Sequence, residues 1–250
     1  MVARRRLDVE LVRRGLADGR ATAAELVAAG TVLVNGATAD KPARLVAPSD
    51  ALVVSAPSAR YVGRGGEKLE AALDHFAVDC RDLFALDVGA STGGFTDCLL
   101  AHGASHVVAL DVGHGQLHPR LRDDPRVTVL ERTNVRHAIV DTIGQPTELV
   151  VADLSFISLT MVLSVLVALC QPGSSMILLV KPQFEAGRAE AGRGRGVIAD
   201  KAVHARVRNE IDEALRDCGC DVAGWMDSPL LGAKGNKEFF VHALTPEVTP

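Results

Sequence analysis

Hydrophobic and polar positions change their rhythm twice along the chain. Residues 7–16 put Leu7, Leu11, Val12 and Leu16 on one face of a helix. Thr22-Ala23-Ala24-Glu25 has the spelling of a capping box, so a second helix is expected to start there and end at Gly30. The apolar run Thr31-Val32-Leu33-Val34 then reads as a strand, and Asn35-Gly36 supplies the two positive-φ positions of a tight hairpin turn. Leu52-Val53-Val54 closes a small α+β unit, expected over residues 1–60. Tyr61-Val62-Gly63-Arg64-Gly65-Gly66, with three glycines in four residues, reads as a flexible linker. Glu67 to Phe76 returns to helical spacing, with Leu69, Leu73 and Phe76 on one side. Beyond it, short apolar runs at 83–87, 106–111, 127–130, 148–152, 176–180, 222–226 and 238–243 read as strands, and helical patterns separate the first six. That alternation predicts an α/β domain over 67–250, a seven-stranded, mostly parallel sheet covered on both faces. No helix fits between Pro229 and Glu238, so the last strand is expected to enter by a short connection and run antiparallel.

Composition changes this picture little, but the placement of charge changes it considerably. The chain is 48% hydrophobic and 23% charged, ordinary for a globular protein. Arg4-Arg5-Arg6 is followed by Asp8 and Glu10 rather than by an apolar core, so no signal peptide is expected. The longest apolar stretch, Leu159 to Cys170, is too short for the ~20 residues of a spanning helix. Five cysteines show no C-x-x-C pair and no zinc spacing, which points to reduced thiols and a cytoplasmic location. His114 and His118 could share a helix face, yet no third ligand accompanies them, so no metal is expected. The net charge of −4 conceals an asymmetry: residues 1–66 carry 10 Lys/Arg against 6 Asp/Glu, a net of +4, and the remainder carries 17 against 25, a net of −8. A basic head points to a polyanion partner, with Arg4, Arg5, Arg6, Arg13, Arg14, Arg20, Lys41 and Arg44 as the phosphate-gripping set. Arg64, Arg132 and Arg136 are expected to extend that contact. The Gly/Arg segment of residues 187–196 reads either as a connector or as a loop closing over the polyanion.

The densest chemistry follows the first strand of the larger region. Asp87-Val88-Gly89-Ala90-Ser91-Thr92-Gly93-Gly94-Phe95 is a strand end, a glycine-rich turn and a helix start, half of a nucleotide-binding βαβ unit. Twenty-four residues after Asp87 a second strand ends in Asp111, where an acid can accept from both hydroxyls of a ribose. Neither G-x-G-x-x-G nor G-x-x-x-x-G-K-[ST] is present, and an acid at the head of the turn would repel a pyrophosphate. A ligand with a cationic amine, a ribose and no phosphate fits better, and S-adenosylmethionine (SAM) has all three features. The residues expected around it are Asp87, Gly89 to Phe95, Asp111 and Val112, with Asp153 beside the methyl group. The bland alternative is a tight turn with no ligand.

Ligands of open α/β sheets sit at the carboxyl ends of the strands. Asp153 and Lys181 each end a strand, Glu238 begins the antiparallel one, and Lys68 lies in the helix before the first strand. Each could be plain surface charge, but together they would gather beside a SAM methyl group. A ribose 2′-hydroxyl must lose its proton as it attacks, and a neutral lysine can take it. We expect Lys181 to be the base or to position the 2′-oxygen, with Asp153 and Glu238 orienting the amines and Lys68 completing the cluster. The strand end Asp153-Leu154-Ser155-Phe156 lacks the D/N-P-P-[YF] pattern of amino-methylating enzymes. Cys98 and Cys170 fall in helical patterns rather than at the rim, which disfavours base methylation through a thiol.

Three resemblances add to this reading. Arg6-Leu7-Asp8, Leu11-Val12, Gly15-Leu16, Arg20, Ala24-Glu25-Leu26-Val27, Gly30, Val32, Val34-Asn35-Gly36 and Lys41-Pro42 resemble the S4-type RNA-binding domain, apart from Gly19, where that family often has serine. The strand layout and the Asp87 turn resemble SAM-dependent methyltransferases with a Rossmann-like sheet. Taken with Arg64-Gly65-Gly66-Glu67-Lys68-Leu69, Asp111 to Leu117, Glu131-Arg132-Thr133-Asn134, Asp153 to Leu159, Lys181-Pro182-Gln183-Phe184-Glu185 and Gly235-Asn236-Lys237-Glu238-Phe239-Phe240, the whole chain is similar to the TlyA family. That resemblance implies SAM-dependent 2′-O-methylation of cytidine in ribosomal RNA, of the large subunit and often the small one, and an influence on sensitivity to capreomycin-type antibiotics. It also carries a Lys-Asp-Lys-Glu tetrad onto Lys68, Asp153, Lys181 and Glu238, and puts Asn134 near the adenine. Rival readings are a silent RNA-binding assembly factor, a nicotinamide-dependent oxidoreductase, which the turn disfavours, and a membrane-active haemolysin, for which no amphipathic or spanning element is visible.

Overall fold

The computed structural model describes residues 4–17, 19–28, 30–54, 60–187, 190 and 196–247. The chain divides into two compact units, Met1–Ala59 and Arg60–Pro250.

In the smaller unit, α1 (Leu7–Arg13) and α2 (Arg20–Ala28) pack on a three-stranded sheet of β2 (Val32–Val34), β3 (Ala37–Thr38) and β5 (Leu52–Val54), in the order β3-β2-β5. A second pairing joins β1 (Arg5–Arg6) to β4 (Leu45–Val46). Leu7, Leu11, Ala23, Val27, Val32 and Val34 meet in its core. The hairpin turn is as the dipeptide predicts, with Asn35 at φ 53 and Gly36 at φ 83. The second helix is not. It begins at Arg20, with Ala23 N–H donating to Gly19 O, so Thr22 lies inside the helix and caps nothing. The alanine-rich stretch is a good enough helix former to run nearly one turn earlier than its capping spelling suggests.

The larger unit carries a seven-stranded sheet in the order β11-β12-β10-β9-β6-β7-β8. Its strands are β6 (Phe84–Val88), β7 (His106–Leu110), β8 (Val127–Leu130), β9 (Thr147–Ala152), β10 (Cys170–Val180), β11 (Asp221–Asp227) and β12 (Phe239–Leu244). All pairings are parallel except those of β12, which is antiparallel to both β10 and β11. Alternate strand residues feed two cores, one per face: Leu86, Val108, Val150 and Leu178 on one side, Ala85, Val107, Val151 and Ile177 on the other. Helices α3 (Arg64–Phe76) and α4 (Gly94–Ala101) cover the second face, and α7 (Leu163–Ala168) and α9 (Lys201–Asp217) cover the first. Short helices α5 (Pro119–Arg122), α6 (Val140–Ile143) and α8 (Pro182–Glu185) fill the connections.

Three expectations are corrected here. The supposed linker at 61–66 belongs to the larger unit: Tyr61 is buried and Arg64-Gly65-Gly66 form the first turn of α3. Its glycines serve close approach, since a Cβ on Gly66 would stand 2.2 Å from the Tyr61 ring and one on Gly65 would stand 3.3 Å from Phe95. Cys170 opens β10 rather than sitting in a helix, because the strand starts six residues before Met176. His114 and His118 do not share a helix; His118 caps α5 and His114 bonds Glu131. Among the described residues there is no metal-binding cluster and no helix long and apolar enough to cross a membrane. The Gly/Arg segment at 187–196 lies mostly outside the described residues.

Candidate active site

The carboxyl rim of the sheet collects the predicted side chains because of strand order. Ala152 of β9 pairs with Leu178 of β10 on one side and with Val88 of β6 on the other, so Asp153 emerges between them. Phe239 pairs with Val180, which leaves Glu238 and Lys181 one step beyond that pair on adjoining strands. Strands in a sheet are about 4.8 Å apart, so this register alone brings the three chain segments together. Lys68, one turn into an amphipathic α3, reaches the same place: its Nζ donates to Glu238 Oε2 at 2.6 Å. Lys181 Nζ stands 2.5 Å from Asp153 Oδ1 and donates to Ser155 Oγ at 2.9 Å. Lys68, Lys181 and Glu238 are all under 9% exposed, so each charge depends on its partner to offset lost hydration.

Glu238 is held by groups that the sequence reading passed over. A Cβ on Gly232 would lie 1.8 Å from Glu238 Oε1, so only glycine leaves room for the carboxylate. Asn236, 2% exposed, accepts from Ile198 N–H, donates to Gly196 O and Ala233 O, and its backbone carbonyl accepts from Gly232 N–H. The motif Gly235-Asn236-Lys237-Glu238 is thus a folded turn that delivers Glu238. Nothing local in the sequence pairs Gly232 with Glu238; only a buried asparagine hinted at a structured turn.

The glycine turn after β6 bends at Gly89 (φ 85), Ser91 (φ 48) and Gly93 (φ 97). A Cβ on Gly89 would stand 2.7 Å from Asp153 O, and one on Gly93 would stand 2.3 Å from Leu121. The turn, Gly63 to Gly65 and Asp153 line one cleft, with Ala90, Ser91, Thr92, Gly94 and Phe95 on its wall. Asp111 joins the turns after β6 and β7: Ser91 N–H donates to its Oδ2 at 2.8 Å and Gly113 N–H to its Oδ1 at 2.6 Å. Val112 stands exposed beyond it. Asn134 caps the short turn at Val135–His137 by accepting from Arg136 N–H. Glu131 accepts from Gly115 N–H, His114 and Arg122, which hold its carboxyl down at about 2. It is an organiser of the loop and not loose surface charge.

Asp87 is the most unusual group. Its carboxyl is fully buried, Thr96 Oγ1 donates to Oδ2 at 2.6 Å, and Oδ1 has no partner. Burial pushes its pKa up to about 7, with the negative fields of Asp153 and Asp111 adding to the rise. An orphaned carboxylate oxygen beside a cradle that only glycine can line fits a ligand that brings its own cation, as SAM does.

In the head, Asp8 and Glu10 are buried and gather the arginines. Asp8 binds Arg6 and Arg20, Glu10 binds Arg5, Arg13 and Arg14, and these contacts hold both carboxyls at about 2. Arg14 also donates to Ala47 O, Pro48 O and Asp50 O, so its guanidinium is occupied internally. Arg4, Arg6, Arg20, Lys41, Arg64, Arg132 and Arg136 are exposed and Arg44 half-buried. Phe156, absent from the expected site, is 92% exposed at φ 67 and its ring lies 5.2 Å from Phe184, itself 5.9 Å from Lys181 Nζ. A large aromatic face left in solvent at the rim is a structural signal with no counterpart in hydrophobic periodicity.

Comparison with known proteins agrees with this architecture. Residues 61–244 match the family model for FtsJ-like methyltransferase, and residues 5–52 match that for the S4 domain. The chain is 49% identical over 98% of its length, and 91% of the relative's, to 16S/23S rRNA (cytidine-2′-O)-methyltransferase TlyA of Mycobacterium tuberculosis. It is 46% identical, over 96% of its length and 86% of the relative's, to a Bacillus subtilis protein named as an rRNA methyltransferase, YqxC. A solved chain from Streptococcus thermophilus, described under a hemolysin name, superposes with a TM-score of 0.73 at 38% identity, covering 99% of this chain and 90% of that one. With an S4 domain ahead of an FtsJ-like domain, and such identity along almost its full length, the chain is a methyltransferase that belongs to the TlyA family.

Proposed function

We propose that this protein transfers a methyl group from SAM to the ribose 2′-oxygen of a cytidine in ribosomal RNA. The large subunit is a substrate and the small subunit a second one, in the cytoplasm. The observation that carries this reading is the pair of contacts, buried Lys68 to Glu238 and part-buried Lys181 to Asp153, at the strand ends that flank the glycine turn. When bound, SAM supplies an electrophilic methyl on a good leaving group, so the protein's work is to align and to deprotonate. Asp87 meets the ammonium, Asp111 the ribose hydroxyls, and Val112 and Asn134 flank the adenine. Lys181 takes the 2′-proton, Asp153 balances its charge, and the Lys68–Glu238 pair keeps a second amine fixed beside the same oxygen. The exposed Phe156 ring offers a stacking face for an unpaired base.

The head, residues 1–59, holds the RNA through Arg4, Arg6, Arg20, Lys41 and Arg44, and Arg64, Arg132 and Arg136 of the larger unit (60–250) add contacts of their own. Arg14, being spent on backbone carbonyls, contributes to folding rather than to grip. Replacing Lys41 and Arg44 together by alanine is expected to weaken rRNA binding about ten-fold at moderate salt and to lower the slope of log K against log salt by about 2. Filter binding across a salt series checks this, and an unchanged slope would remove those residues from the interface.

Gly232→Ala is expected to push the Glu238 carboxylate off Lys68, cutting kcat about ten-fold or more, while overpacking costs about 1–3 kcal/mol of stability. Single-turnover kinetics and thermal melts separate the two effects. The decisive test of the function is a map of 2′-O-methyl marks on 16S and 23S RNA from cells with and without the gene. A cytidine mark that disappears, with a change in capreomycin sensitivity, supports the reading; identical maps sink it.

A further inference from the structure

The two lysines of the rim are held differently. The Lys68 ammonium donates to Glu238 Oε2 in good hydrogen-bond geometry. Lys181 Nζ lies 2.5 Å from Asp153 Oδ1 as an ion pair, and that oxygen accepts no hydrogen bond. The carboxylate therefore offsets the charge of Lys181 but does not aim it. The aligned bond of Lys181 is the one to Ser155 Oγ at 2.9 Å.

We propose that Ser155 is the positioning residue of Lys181. Direction matters for this amine more than proximity. A neutral lysine has two N–H bonds and one lone pair in tetrahedral array. When Ser155 Oγ accepts one N–H, rotation about the terminal carbon–nitrogen bond stops, and the lone pair keeps one heading. Without that bond the amine still sits beside Asp153, but its lone pair sweeps past the 2′-proton instead of meeting it. The hydroxyl is suited to the task in a second way. Ser155 is exposed, on the turn that follows β9, so its own O–H proton is free to face the substrate side. The turn is itself anchored, since Glu185 accepts from Ser158 Oγ and Leu159 N–H, which ties it to the segment just after Lys181.

This assignment rests on the 2′-O-methylation reading, and the test distinguishes the two. Wild type, Ser155→Ala, Ser155→Thr and Lys181→Ala are assayed on ribosomal subunits with SAM, in single-turnover and steady-state form, with the affinity for S-adenosylhomocysteine measured in parallel. Ser155→Ala is expected to lose about two- to ten-fold in kcat, the range for a hydrogen bond between neutral groups, with KM for RNA and cofactor affinity within two-fold of wild type. Ser155→Thr, which keeps the hydroxyl, is expected to recover most of the loss. A Ser155→Ala protein at full kcat overturns the assignment, as does a loss that appears in KM alone or that threonine does not repair. A wild-type protein that leaves no 2′-O-methyl mark overturns the underlying function instead, and Ser155 with it.

Discussion

Lys181→Ala is expected to lower kcat for methyl transfer by about 10²–10⁴, the usual contribution of a positioned general base. Cofactor and RNA affinity should stay near wild type. Lys181 sits at the end of β10 with its amine between Asp153 and Ser155, and neither neighbour can take over proton removal. A serine hydroxyl is too weak a base for that, and so is an ionised carboxylate such as Asp153 compared with a neutral amine. Lys181→Arg sharpens the test. It keeps the positive charge and the contact to Asp153, but a guanidinium does not give up its proton in a protein, so it is expected to be as inactive as alanine. If arginine restored activity, Lys181 would act by charge alone and the base would lie elsewhere. Full-rate methylation by Lys181→Ala would remove it from the chemistry altogether.

Asp87→Asn is expected to bind SAM about a hundred-fold more weakly while making the free protein more stable. The reason is the buried, half-satisfied carboxyl. Its pKa stands at about 7 in the folded chain against 3.8 in the unfolded one. A carboxyl whose folded pKa is raised favours the fold below pH 3.8, and that advantage drains away as pH rises through 7. Above pH 7 the free protein carries a buried charge with an empty oxygen, a penalty on the order of 4 kcal/mol from a shift of about three units. A bound ammonium relieves it. SAM binding should therefore strengthen from pH 6 to 8, by up to about ten-fold per unit below pH 7, with a proton released on binding at the lower pH. Calorimetric titration with S-adenosylhomocysteine, which retains the ammonium, in two buffers of different ionisation enthalpy measures both. The thermal stabilisation by ligand should likewise be greater at pH 8 than at pH 6. Affinity that is flat across this range, or an asparagine variant that binds normally, would place the ammonium away from Asp87.

Much of this molecule was readable in one dimension. Strands of a parallel sheet are buried on both faces, so β6, β7, β9 and the inner half of β10 appear as unbroken apolar runs and their bounds fall within a residue or two of expectation. Asn35-Gly36 and the turn from Gly89 to Gly94 were legible because positive φ restricts the choice of residue. The four rim side chains could be named in advance because each abuts a strand or helix whose end the pattern marks. The glycines at 63–66 misled, since flexibility and close packing against Tyr61 and Phe95 ask for the same residue. Arg14 misled for a similar reason: a guanidinium that grips phosphate and one that closes a loop on Ala47, Pro48 and Asp50 look alike in a string of letters.

The sequence by itself determined the two-part plan, the strand count, the reversed final strand and the kind of chemistry at stake, because all of these follow from local spacing and residue type. Only the tertiary structure decided which lysine faces which carboxylate, that Gly232 makes room for Glu238, that Asp87 is left with an empty oxygen and that Lys181 donates to Ser155. Those facts join residues up to 170 positions apart. They depend on the order β12-β10-β9-β6 across the sheet, a non-local pairing that no run of neighbouring residues encodes.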